Sequence, residues 1–158
     1  MTIGGVAAGA LVNTGIVVRS ASIWISSTPI NAGASGTIAV TKNAGSTNQT
    51  AIGWYALYCP TGSIITVPEA YAPAAAASYS KSLATGAGGI TYALCDNNAD
   101  SFGYSGDTPD YDFGANAGPT FWMSGFGKID TGAAHALSLA PGGTTNRFVA
   151  VSLLPVAP

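Results

Sequence analysis

Apolar residues in this chain come in short alternating runs, and glycine, proline or asparagine closes each run before a long helix could form. Ser22-Ile23-Trp24-Ile25-Ser26 is one run, and Gly36-Thr37-Ile38-Ala39-Val40-Thr41 is a second. Ala51 to Cys59 alternates Trp54, Ala56 and Tyr58 with Tyr55, Leu57 and Cys59. Ser63 to Val67, Gly89 to Cys95, Thr120 to Ser124, Ala134 to Ala140 and Asn146 to Leu154 complete the series. A period of two puts each set on its own face of a pleated strand. Several runs are apolar on both faces, as strands covered on two sides must be. Gly occurs 21 times and Pro 9 times, while the common helix formers Leu, Glu, Lys and Arg are scarce. The pattern predicts an all-β, single-domain antiparallel β-sandwich or jelly-roll-like fold with at most one short helix.

The one helix candidate is the Ala-rich run Pro73 to Ala84, where a first-turn proline is tolerated. An extended surface segment explains the same residues. Asn-Ala-Gly recurs at 31–33, 43–45 and 116–118, and both Asn and Gly suit the left-handed end of a hairpin connection. Residues 1–12 are Gly/Ala-rich, with too little apolar bulk to offset the backbone entropy of ordering. They read as an N-terminal arm that leans on a neighbour or pairs with an exposed strand edge, and 13–158 as a single β domain.

Charge limits the choice of partners. Charged residues make up 8% of the 158, against roughly 25% in ordinary soluble domains. Spread over roughly 7,000 Å² of surface, they fall at about one per 600 Å². With a formal net charge of −2 there is little repulsion to oppose contact between molecules. Much of the surface is therefore expected to be covered by partners. Lys42, Lys81, Lys128, Arg19 and Arg147 are scattered, so no basic patch is available for nucleic acid. No apolar stretch approaches the ~18 residues of a membrane span. The first residues show no basic region of a signal peptide, which predicts synthesis in the cytoplasm.

Residues able to carry chemistry are few. There is one His (135) and one Glu (69), so a two-His metal site or a carboxylate pair containing Glu cannot be built within one chain. Gly33-Ala34-Ser35-Gly36 and Gly103-Tyr104-Ser105-Gly106 resemble a nucleophile elbow but lack its second glycine at the right place. A Ser/His/Asp triad would have to use His135 and a residue such as Asp130; the plainer reading makes His135 a strand-face residue with a satisfied ring. Asp96, Asp100, Asp107, Asp110 and Asp112 fall within seventeen residues. Asp107, Asp110 and Asp112 could offer oxygen ligands to calcium, but the spacing is not that of an EF-hand and no closing Glu follows. A solvated loop whose Asp side chains cap turns is the preferred reading. No catalytic, cofactor-binding or metal-binding residue is assigned, and no cofactor is expected.

The same region interleaves Phe102, Tyr104, Tyr111, Phe113, Phe121 and Trp122. Rings beside carboxylates suit a sugar-binding surface. They equally suit the core of a protein interface, which is the reading preferred here. Cys59 and Cys95 are expected as buried thiols, bonded to each other only if their strands are neighbours. Asn48-Gln49-Thr50 matches a glycosylation sequon but is read as coincidence in a chain without a signal.

Met1, the missing signal, the Gly/Ala/Ser/Thr/Asn richness, the low charge, the many short strands and the apolar ending Asn146 to Leu154 together resemble one class. It is the bacteriophage virion structural protein of the capsid decoration, cement or fibre-head type. The likeness covers the whole chain as composition and pattern; no family motif is matched, so it assigns no functional residue. It implies a non-enzymatic protein that packs on and stabilises a capsid or tail assembly. It also implies virion partners such as a capsid or tail subunit, a homo-oligomer such as a trimer, and a place in the virion after synthesis in the host cytoplasm. The alternative is a glycan- or receptor-binding module using the 96–122 region.

Overall fold

The computed structural model describes residues 1–14, 21–28, 37–40, 52–57, 59–60, 62–97, 102–115, 121–141 and 146–157, with backbone alone at 97, 102–103, 111–115, 121–122 and 141. The three Asn-Ala-Gly triplets, the sequon and Asp100 lie outside these residues. All regular structure described is β, and every pairing is antiparallel. The strands are β1 (Thr2–Ile3), β2 (Val6–Asn13), β3 (Ser22–Ser26), β4 (Ile38–Ala39), β5 (Ile64–Thr66), β6 (Ala70–Tyr71), β7 (Tyr79–Ala84), β8 (Ile90–Asn97), β9 (Phe102–Tyr104), β10 (Tyr111–Ala115), β11 (Phe121–Ile129), β12 (Ala134–Pro141) and β13 (Arg147–Val156).

The largest sheet runs β10-β11-β8-β13-β5, with β6 also paired to β13. A second sheet, β7-β12-β9, covers one of its faces, which makes the sandwich. The core between them takes Tyr79 and Leu83 from β7, Ala93 and Cys95 from β8, Phe126 from β11, Leu137 and Leu139 from β12, and Phe148 and Ala150 from β13. These are alternate residues of each strand, as the pleat requires. The opposite face of β13 presents Val149, Val151 and Leu153 to Val12, Ala21, Ile23 and Ile25 around the β2–β3 hairpin. Leu57 packs there too, from an extended strap over residues 52–57. Covered on both sides, β13 is buried without alternation from Phe148 to Leu153.

Three segments differ from the sequence expectation. Pro73 to Ala84 holds no helix: residues 79–84 form β7, because Tyr79 and Leu83 point inward at strand spacing and pair with β12. Ala51 to Cys59 makes no ladder where it is described, and the strap lies across the large sheet instead. Residues 2–13 are strands of a four-stranded sheet β3-β2-β1-β4 within the chain, so the division at residue 12 falls inside β2. Gly4 and Gly5 turn β1 into β2 with φ of 58° and 80°, the positive pair that a two-residue hairpin turn needs. That dipeptide orders a segment whose apolar bulk alone would not.

Phe148 lies at the centre of the sandwich, stacked on Tyr79 at 5.2 Å and edge-on to Tyr71 at 6.2 Å. Phe148→Ala is expected to lower unfolding free energy by about 3–5 kcal/mol, measured by urea denaturation. Tyr79 and Tyr92 also make stability sensitive to alkali. Burial is the main reason that both phenols stay neutral beyond the ordinary tyrosine range. Their contribution is complete below about pH 10. It is lost as pH rises through the higher folded-state values, because the unfolded chain ionises first. Tyrosinate absorbance should therefore show two late-titrating groups whose ionisation coincides with loss of β circular dichroism.

Candidate functional site

Polar residues inside the sandwich gather at one end, around the β11–β12 turn. His135 enters on β12 beside the inward-facing Leu137 and Leu139, and its ring lies tilted on Phe126 at 5.8 Å. Its Nδ1 is 2.6 Å from Asp130 Oδ1 and its Nε2 is 2.9 Å from Asp107 Oδ2. Asp130 Oδ2 accepts a 2.7 Å bond from the Thr91 hydroxyl of β8, and Asp107 Oδ1 accepts one of 2.7 Å from Lys128 Nζ. The side chains of His135, Asp107 and Asp130 are all at least 94% buried, while Lys128 reaches solvent. Each ring nitrogen has a carboxylate within hydrogen-bonding distance, and all four oxygens of the two carboxylates have a partner, as a buried polar cluster needs. The bond from Asp107 keeps the Lys128 ammonium protonated to higher pH than usual.

This geometry bears on two sequence readings. The structure does bring His135 and Asp130 together, but the nitrogen that would activate a serine in a triad is already taken by Asp107. Asp107 is not the solvated turn-capping residue expected: its carboxylate is buried and joins the β9–β10 loop to β11 and β12. Asp110 turns elsewhere, its Oδ2 accepting from Gly127 N at 2.8 Å and from Tyr55 Oη at 2.7 Å. The side chain of Asp112 lies outside the described residues. Among the described residues no group of three His, Cys, Asp or Glu side chains is arranged to hold a metal.

A second feature lies on the opposite face of the large sheet. Tyr55, Ala56, Leu57, Ile90, Tyr92, Gly127 and Ile129 line an open groove of about 310 Å³. Tyr55 and Tyr92 meet at 4.9 Å over Gly127, where a Cβ would stand 2.7 Å from Tyr92 Cε1. Only glycine lets the two rings approach there. Trp54 beside the groove is 69% exposed and Ile129 70%, and Ile64 on β5 is 66% exposed. No charged residue lines the groove. The run Ala51 to Cys59 held Trp54, Tyr55, Ala56 and Leu57 in the sequence, but strand alternation gave no sign that they would form a strap.

The aromatic set of 96–122 is represented by Tyr104, whose ring packs edge-on against Phe126 at 5.2 Å and whose hydroxyl donates to Ser124 O. The other five rings of the set lie outside the described side chains. Cys59 and Cys95 are free thiols. Cys95 is buried facing the β7-β12-β9 sheet, while Cys59 is half-buried after the strap. Burial pushes the Cys95 thiol well above its usual range, as suits an inert core thiol. No helix among the described residues is long and apolar enough to cross a membrane. No protein family, curated protein or solved structure matches this chain.

His135→Ala would leave two buried carboxylates facing the space of the lost ring. Unfolding free energy should fall by about 3–5 kcal/mol. Lys128→Ala, which removes a half-exposed partner, should cost less than about 1 kcal/mol. Paired urea titrations of the two variants would check this difference.

Proposed function

We propose that this chain is a non-enzymatic structural component of a virion that packs on capsid or tail subunits and stabilises their assembly. The observation that carries this reading is the exposure of large apolar side chains: Trp54, Ile64 and Ile129 are each about two-thirds exposed or more. Scattered exposed apolar residues are ordinary, but here only 8% of the chain is charged and little repulsion guards them. The buried Asp107–His135–Asp130 cluster is internally satisfied, so its groups act as a brace between strands. Assembly is favoured over glycan recognition because Asp96 and the Asp107 carboxylate are buried and half-buried Tyr104 packs its ring on Phe126.

The protein would be made in the host cytoplasm, self-associate as a homo-oligomer and end in the particle, with no role for nucleic acid, membrane insertion or a cofactor. Light scattering of the purified chain, with co-sedimentation against capsid or tail particles that lack it, tests this. Self-association or particle binding is expected. A monomer that stays in the supernatant at every concentration would overturn the reading.

A further inference from the structure

Building on that assembly reading, we infer that two copies of this chain pair through the strap groove, each placing its Trp54 indole in the groove of the other. The groove calls for a specific kind of occupant. Its walls are the rings of Tyr55 and Tyr92 and the apolar side chains of Leu57, Ile90 and Ile129. At its rim stands Asp110, fixed through Oδ2 by the Gly127 amide and the Tyr55 hydroxyl, while Oδ1 has no partner among the described residues. An occupant with a flat apolar body and a single N–H donor satisfies both features, and an indole is such a group.

The chain carries that group at the edge of the groove. Trp54 precedes Tyr55 on the strap, is 69% exposed, and its indole N–H has no partner among the described residues. Trp24 is a poorer candidate: it is 37% exposed and its N–H already donates to Ser22 Oγ at 2.8 Å. Because Trp54 stands outside the groove of its own chain, the indole that fills the groove belongs to a second copy. Donor and acceptor lie side by side on one surface, so the exchange is reciprocal about a two-fold axis. Charge permits the approach, since residues 52–57 carry no ionisable group other than the Tyr55 phenol, and each Asp110 meets an indole N–H.

The size of the contact sets its strength. An aromatic side chain buries ~150–250 Å², and stable interfaces bury ~1,200–2,000 Å² in total. Two indoles with the flanking Ile52 and Ile129 therefore give a contact near the lower end. The dimer should dissociate on dilution through the micromolar range.

Sedimentation velocity of the full chain over that range, with tryptophan emission recorded in parallel, tests the exchange. The wild-type chain is expected to dimerise reversibly, with emission shifting to the blue as concentration rises. Trp54→Ala should weaken the dimer about 30-fold or more, as loss of a central aromatic anchor does. Trp54→Phe, which keeps the ring and loses the N–H, should fall between the two. The side chain is exposed, so circular dichroism and thermal midpoints should stay unchanged and exclude misfolding. Wild-type dimerisation by Trp54→Ala would overturn the inference, and so would a blue shift independent of concentration. A wild-type chain that stays monomeric yet sediments with a capsid or tail particle would overturn the groove exchange alone. One that neither dimerises nor binds such a particle would overturn the assembly reading as well.

Discussion

Burial of β8 and β13 on both faces is the constraint on which the rest of this fold depends. Phe148 and Ala150 must be covered by the β7-β12-β9 sheet, and Val149, Val151 and Leu153 by the β2–β3 hairpin and the strap. A strand pair with two apolar faces cannot stand at a surface, because each face would leave its side chains in water. The N-terminal strands are thus drawn into the chain's own core, since Val12 and Ile23 are part of the cover.

Most polar groups in this interior close their bonds, whereas Ser124 Oγ on β11 is buried with no partner among the described residues. Thr91, Ser152, Asp130 and His135 are all buried, and each has a partner within hydrogen-bonding distance. Ser152 Oγ sits 2.6 Å from Ala84 O and accepts the amide of Glu69 at 3.0 Å. Glu69 in turn pairs with Lys81 of β7 at 2.6 Å, and that bond chiefly holds its carboxyl below the usual range. These bonds join the large sheet to the smaller one at the end where the apolar core runs out. A half-satisfied network there would be worse than an apolar core. The lone His is thus used inside the sandwich, and the lone Glu closes its bonds at the half-exposed edge.

The outer surface follows from the same economy. With so few charges available, and several committed to bracing strands, the strap and the end of β11 expose Trp54 and Ile129 with no charged neighbour lining the groove between them. A surface of that kind favours contact with another protein, which is the basis of the structural role proposed for the chain. Gly127 serves both the groove and its rim, because its lack of a Cβ lets Tyr55 and Tyr92 close together and its amide fixes Asp110.

Much of the fold was legible in the residues themselves. Alternation at period two, cut by turn residues, determined an all-β chain and marked β3, β5, β8, β12 and β13 to within a few residues. Alternation reports only which side chains can share a face, so it could not say which strands pair. It took Ala51 to Cys59 for a strand because the same pattern serves an extended strap. It passed over β2, whose Gly and Ala bury little area and whose order comes from the Gly4-Gly5 turn. Composition revealed the shortage of charge and the solitary His and Glu. Only the tertiary structure decided where those charges went. The Asp107–His135–Asp130 brace joins residues 28 and 5 positions apart, and the Tyr55–Asp110 bond spans 55. Contacts of that separation are made by strand pairing and burial acting over the whole chain, and no local pattern encodes them.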